Sequence, residues 1–235
     1  MVGLPAVGKS AWARKLSQCE AMLLGAIQRR EPQVERVVVQ VIEFDKEIGV
    51  LDLGNNESSS MWKKQRKTVH VKVDRLVQQF LRDSTPQSFL FVILDDNMYY
   101  KSMRRIYYSL SQRLKCGYMQ IVVHTDYIDL QQLLEHDMNR ETSVGEITIV
   151  RMYDRMEYPD INTKWEKFSC YLPPWACHTH DIPESFLDCM NGSLIAAEEM
   201  ENAFSGQFQE EVQTIRHSFE LSLREIVNSS IKSLQ

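Results

Sequence analysis

Gly3-Leu4-Pro5-Ala6-Val7-Gly8-Lys9-Ser10 has the spacing G-x-x-x-x-G-K-[ST] of a Walker A phosphate loop. The glycines let the backbone turn tightly, so that successive N–H groups converge on phosphate oxygens. Lys9 places a point charge at the outer phosphates, and Ser10 offers a hydroxyl to Mg²⁺. The N-terminus of the following helix adds partial positive charge. That helix is visible in Trp12, Leu16, Cys19, Leu23 and Ile27, which recur every three or four residues. A Gly-rich turn of no function is the competing reading, and the helix behind the loop argues against it. The whole stretch from Gly3 to Ser10, including Leu4, Pro5, Ala6 and Val7, is therefore the expected ATP site.

Only Met1 and Val2 precede the loop, although such a loop should follow a buried parallel strand. A sheet without that strand leaves its neighbours on both sides without backbone partners. The expectation is an upstream apolar segment of about five to eight residues.

Downstream, 36–44 (RVVVQVIEF) is β-branched and ends at Asp45, and 88–94 (SFLFVIL) is a continuous apolar run closed by Asp95-Asp96. A third strand reads over 118–123 (YMQIVV). Between them lie helical patterns over 61–82 and 100–115. This alternation predicts an α/β fold of the P-loop kinase type, a parallel sheet with crossover helices. Beyond Thr125 the pattern turns helical, over 127–139 and 145–156. A loop-rich stretch containing Pro159, Pro173, Pro174 and Pro183 follows, then amphipathic segments at 193–204 and 208–233. The expected division is a kinase domain over 1–170 and a C-terminal helical appendage over 190–235.

The 235 residues are 43% hydrophobic and 25% charged, enough to bury a core and unlike a disordered chain. No apolar run approaches the roughly 18 residues of a membrane span, and the start lacks secretory-signal character. The five cysteines have no framework spacing and read as reduced thiols, so the expected address is cytoplasmic. A net charge of −5 argues against nucleic-acid binding by bulk charge, and no DNA partner is expected. Lys63, Lys64, Arg66 and Lys67 form the one basic cluster, either a phosphate-contacting face or simply a solvated one. Cys170, Cys177, His178 and His180 match no structural zinc spacing.

Phosphoryl transfer needs carboxylates at the carboxyl ends of strands. Asp45 is the candidate to accept the proton of the substrate hydroxyl, and Asp95 to hold Mg²⁺ with Ser10. Asp96 is a weaker candidate. Each could instead cap the next helix. Arg140, with Arg151 and Arg155 behind it, lies where a lid would supply a cation to the transferred phosphoryl group.

Leu94-Asp95-Asp96-Asn97-Met98-Tyr99-Tyr100-Lys101-Ser102-Met103-Arg104 closely resembles the D-D-x-x-Y-Y-x-S-M-R signature of the L-seryl-tRNA(Sec) kinase family. Phe44-Asp45, Met61-Trp62-Lys63, Trp165-Glu166 and Leu223 to Val227 are similar to it in the same order. The resemblance implies a kinase that uses ATP and Mg²⁺ to phosphorylate the serine of seryl-tRNA(Sec). It also implies Lys9 and Asp45 at the chemistry and Asp96, Tyr99, Tyr100 and Arg104 towards the substrate. Arg104 could reach a phosphate, and Tyr99 or Tyr100 could stack on the adenosine end of tRNA or pack against a helix. A homodimer is left open. Two features depart from the family: its R-x-x-x-R lid motif stands here as His136 to Arg140, keeping only the second arginine, and the C-terminal region looks shortened. The chain also resembles, in the Walker loop, Elongator-associated ATPases that act as partners of a protein complex. A small-metabolite kinase and a catalytically silent fragment are further alternatives.

Overall fold

The computed structural model describes residues 1–48, 58–123, 129–174, 182–203 and 213. The chain alternates as read from the sequence. Helices α1 (Lys9–Gln18) and α2 (Glu20–Gln28) lead to β1 (Arg36–Glu43), then α3 (Phe44–Ile48) and α4 (Ser58–Asp83). After β2 (Ser88–Asp95) come α5 (Lys101–Leu114), β3 (Gln120–Val123), α6 (Leu130–Met138), α7 (Glu146–Asp154) and β4 (Ser169–Leu172). A further helix, α8, covers 184–203.

β1 and β2 pair in parallel from Arg36↔Ser88 to Glu43↔Asp95, and β3 pairs in parallel with β4 from Gln120↔Ser169 to Val123↔Leu172. Met1 and Val2 lie between the two pairs. Met1 N donates to Leu94 O, Val2 N donates to Ile121 O at 2.7 Å, and Val123 N donates to Val2 O at 2.9 Å. Met1 and Val2 therefore run between β2 and β3 as they enter the phosphate loop. The chain otherwise forms the parallel α/β fold that the alternation requires.

Apolar side chains segregate onto the two faces of this sheet. Leu4, Trp12, Leu16, Leu23, Val37, Ile93 and Ile121 build the larger core, and Val2, Ile42, Val69, Val73, Tyr107 and Val122 the smaller one. The stripe on α5 buries Met103, Tyr107 and Leu110, as the spacing predicts. Trp12, fully buried, ties α1 to the end of β4 by donating from Nε1 to Pro173 O at 3.0 Å. Burying one such side chain contributes on the order of 2–3 kcal/mol.

Three differences from the sequence reading stand out. The first helix is interrupted at Cys19, whose φ of −100° and ψ of 25° leave helical geometry, so α1 and α2 are separate. β4 lies inside the stretch read as loop; it is four residues long, too short for its alternation to rise above the surrounding prolines. α8 starts before 190 and buries Phe186 and Met190 in the larger core. The segment at 208–233 lies, apart from 213, outside the described residues, as do Cys177, His178 and His180. Among the described residues no helix is long and apolar enough to cross a membrane, and no three His, Cys, Asp or Glu side chains gather as metal ligands.

Candidate active site

The phosphate loop takes the backbone shape that its glycines permit. Gly3 has a φ of 147° and Gly8, which caps α1, a φ of 94°; Ala6 also stands at positive φ. A Cβ on Gly3 would lie 2.8 Å from Val123 O, so only glycine lets the loop pass this close to β3. Gly3 N donates to Asn97 O at 3.0 Å, which fastens the loop to the turn after β2. Lys9, the first residue of α1, is buried, and its Nζ donates to Leu4 O. Ser10, one residue on, is exposed.

Burial lowers Lys9 to about 8, and the charges acting on it identify its surroundings: Asp95 and Asp96 oppose the shift, Arg140 adds to it, and Asp45 opposes it. The charges of the carboxylates after β1 and β2 and of the arginine after α6 therefore all act on the loop lysine. Asp95 is the last residue of β2 and is buried. Asp45 is in the first turn of α3. The residue as a whole is exposed. Its carboxyl is nonetheless held above the ordinary carboxylate value, first by loss of solvent and then by the charges of Asp96 and Asp95; Arg140 and Lys9 pull the other way.

Asp96 is engaged by a residue the sequence left on a basic surface. Arg66 of α4 turns inward, pairs with Asp96 and sits 5.0 Å from the centre of the Phe44 ring. Lys63, Lys64 and Lys67 stay exposed. The signal for Arg66 was available: it precedes Val69 by three residues and so lies beside the buried stripe of α4.

Arg140 is exposed and 3.3 Å from Asp137, which is itself 2% exposed. Asp137 also accepts from Ser143 Oγ at 2.6 Å, Val144 N at 3.0 Å and Gly145 N at 3.1 Å. Burial pushes Asp137 up, but these bonds outweigh it and hold the carboxyl below its usual value. A single carboxylate thus folds the turn that carries Arg140.

The tyrosine-rich signature forms the turn and first residues of α5. Tyr99 and Tyr100 are half-buried and face one another with ring centroids 4.1 Å apart and an interplanar angle of 39°. Burial, then the hydrogen bond with Tyr100, pushes Tyr99 up to about 12. Glu157 caps α5 by accepting from Lys101 N, and its own N–H donates to Tyr99 O at 2.9 Å. Arg104 does not face the loop as an open phosphate ligand. It is 2% exposed, donating from Nη1 to Met98 O at 3.0 Å and from Nη2 to Glu166 Oε1 at 2.9 Å. The phosphate contact expected of it has no support in this geometry, because a buried guanidinium is committed to its carboxylate.

The sequence model of the family described as "Chromatin associated protein KTI12" matches residues 1–233. The chain is similar to L-seryl-tRNA(Sec) kinase of Homo sapiens, 25% identical over 271 residues that take in 99% of this chain and 77% of that protein. It is also similar to L-seryl-tRNA(Sec) kinase of Mus musculus, 32% identical over 89 residues, which are 37% of this chain and 24% of that one. Among solved structures it is similar to Chaetomium thermophilum Kti12 in complex with ADP-AlF3, with a TM-score of 0.50 and 19% identity over 82% of this chain and 96% of the other. At that identity the likeness shows the fold alone, a P-loop α/β domain. With its sequence matched almost from end to end, the chain belongs to the KTI12 family.

Proposed function

We propose that the chain is a kinase that transfers the γ-phosphoryl group of ATP to the serine hydroxyl of seryl-tRNA(Sec), giving O-phosphoseryl-tRNA(Sec) and ADP. The observation that carries this reading is that the charges of Asp45, Asp95, Asp96 and Arg140 all act on the buried Lys9 of the loop. Similarity to a seryl-tRNA(Sec) kinase over nearly the whole chain supports the acceptor.

In this reading Gly3 to Ser10 wrap the phosphates of ATP. Asp45, with its raised proton affinity, takes the proton as the serine oxygen attacks the γ-phosphorus and the bond to the departing ADP oxygen breaks. Arg140 meets the charge on the transferred group. The Ser10 hydroxyl is exposed at the head of α1 and Asp95 is an acceptor-only group at the end of β2, a donor set that suits a hard ion keeping most of its waters. These two residues would hold Mg²⁺, which draws charge from the phosphate oxygens. Asp96, tied to Arg66, and the paired Tyr99 and Tyr100 border the acceptor side.

The test is transfer of labelled γ-phosphate to seryl-tRNA(Sec), with seryl-tRNA(Ser) and free serine as controls. Label confined to seryl-tRNA(Sec) is expected; equal labelling of free serine overturns the acceptor assignment.

A second reading is a nucleotide-driven partner of a protein complex. The family match and the fold neighbour crystallised with ADP-AlF3 favour it. Hydrolysis stimulated by bare tRNA or by protein, with no phosphoserine formed, would select this reading.

A further inference from the structure

The net charge of −5 is unevenly placed over the two faces of the sheet. α4 and α5 cover the smaller core, to which Val69, Val73, Tyr107 and Leu110 belong. α4 carries seven lysines and arginines against two aspartates, and α5 carries four against no acid. α8 packs Phe186 and Met190 into the larger core on the opposite face. It carries Glu184, Asp188, Glu198, Glu199 and Glu201 and no lysine or arginine. Such a separation of charge draws a polyanion to one face and turns it away from the other.

On α4 the cations form a track. Lys64, Arg75 and Arg82 are exposed and stand three turns and then two turns apart, so they share the side of the helix that points away from Val69 and Val73. At 1.5 Å per residue the three span about 27 Å. Lys63 and Lys67 are exposed beside Lys64, and none of these five makes an ion pair with a described residue. Lys72, in contrast, is held by Glu47, and Arg113 of α5 is held by Asp74 at 2.7 Å.

The track starts beside the candidate site. Gln65 Nε2 donates to Ile48 O at 2.9 Å, at the end of the helix that carries Asp45, and Arg66 pairs with Asp96. It finishes at the other end of the sheet, because α4 closes at Asp83 and the chain then enters β2 at Ser88, while the last residue of β2 is Asp95. A chain of negative charge lying on α4 would therefore have one end near Asp45 and Asp96. Between Lys63 and Arg82 the exposed large apolar side chains are Val71 and Leu81, about 15 Å apart along the helix axis. Two such isolated side chains make no apolar core for a protein partner. Solvated cations spread along a line fit a backbone of regularly placed phosphates.

We infer that the outer side of α4, from Lys63 to Arg82, binds the phosphate backbone of the acceptor RNA, so that its stem lies along the helix and its serylated end reaches the candidate site. The identity of the occupant rests on the proposed kinase reading, whereas the surface rests on charge and placement alone. Contacts of this kind fix the orientation of the RNA and carry no base sequence.

The experiment measures binding of unacylated tRNA to the 235-residue chain by fluorescence anisotropy over a range of salt concentrations. No phosphoryl transfer enters the readout, so a failure of the kinase reading and a failure of the surface are told apart. The variant with Lys64→Ala, Arg75→Ala and Arg82→Ala keeps a strong helix former at each exposed position, and its melting temperature and ATP binding should match those of the unaltered chain. Expected is an affinity for tRNA at least about tenfold lower at about 0.1 M salt, with the slope of log affinity against log salt shallower by about two to three. Arg75→Glu alone, in the middle of the track, should weaken binding in the same direction. Arg29→Ala with Lys167→Ala, exposed cations outside α4 and α5, should change affinity and slope little. An unchanged affinity and slope in the triple variant, an equal loss in the control pair, or no measurable tRNA binding at low salt overturns the proposal. Polyglutamate bound as tightly as tRNA, and lost in the triple variant, also overturns it and assigns the track to an acidic protein.

Discussion

Arg104 Nη2 donates to Glu166 Oε1 at 2.9 Å, and the two side chains are 1% and 0% exposed. Lys101 Nζ approaches the second carboxylate oxygen at 3.1 Å, and Asp160 N donates to it at 3.3 Å. Burial pushes Glu166 up, but the bonds from Arg104, Lys101 and Asp160 hold it below the ordinary carboxylate value. Glu166→Gln should lower the free energy of unfolding by about 3–5 kcal/mol, since it strands a buried guanidinium. Denaturant titration reads this, and a loss under 1 kcal/mol would show that the pair is not a structural bolt.

Lys9 is lowered to about 8 by burial, and bound phosphates would raise it again. Binding of ATP at pH 8 should therefore take up about half a proton, rising towards one at higher pH, and Lys9→Ala should lose both the uptake and the transfer. Calorimetry in buffers of different ionisation enthalpy measures it. Proton release on binding would contradict the assignment of Lys9 to the phosphates.

Asp45 binds its proton more tightly in the folded chain than in the unfolded one. Its ionisation thus opposes folding once the pH exceeds its folded value, and Asp45→Asn should slightly raise the melting temperature at neutral pH. The same substitution should remove most transfer while leaving ATP binding intact. In the unaltered protein, activity should fall on acidification through a pKa above the usual carboxylate value. Normal turnover by Asp45→Asn removes the residue from the proton-transfer role.

Gly3→Ala places a Cβ 2.8 Å from Val123 O at a φ of 147°. A loss of about 1–3 kcal/mol in stability is expected, with weaker nucleotide binding. Unchanged melting and unchanged binding would mean that the loop can move away from β3.

Arg140→Ala should slow transfer about 10²–10³-fold with little change in the KM for ATP. Asp137→Ala removes the acceptor shared by Ser143, Val144 and Gly145 and should slow transfer through the turn that carries Arg140. If only KM for ATP rises in both variants, Arg140 serves nucleotide binding instead.

The sheet and most helices were legible because hydrophobic period carries that information over eight or more residues, as in β2 and α5. β4 was not, since four residues between turns give no period to count. In the candidate site, Lys9, Ser10, Asp45 and Asp95 could be singled out because a phosphate loop and strand-ending carboxylates are local patterns. Arg66 and Arg104 were read as surface or ligand groups, yet both are spent on partners distant in sequence: Asp96 thirty residues on and Glu166 sixty-two. No local pattern names such a partner. What marks these arginines is their place beside an apolar stripe, where a charge must find its counter-charge or stay unfolded. Asp137 was quoted only as part of a lid motif, although a buried acid followed by Ser143 and Gly145 is itself a sign of a folded turn.

Met98 stands at a φ of 44°, a conformation uncommon for a side chain of its size, and its carbonyl is the one that Arg104 Nη1 grips. The turn between Asp96 and Tyr99 is therefore held in shape by the folding of a distant ion pair. In the proposed kinase, conformational entropy that a loose turn would surrender on meeting its acceptor would already be surrendered when the chain folds, leaving binding energy for selectivity between acceptors.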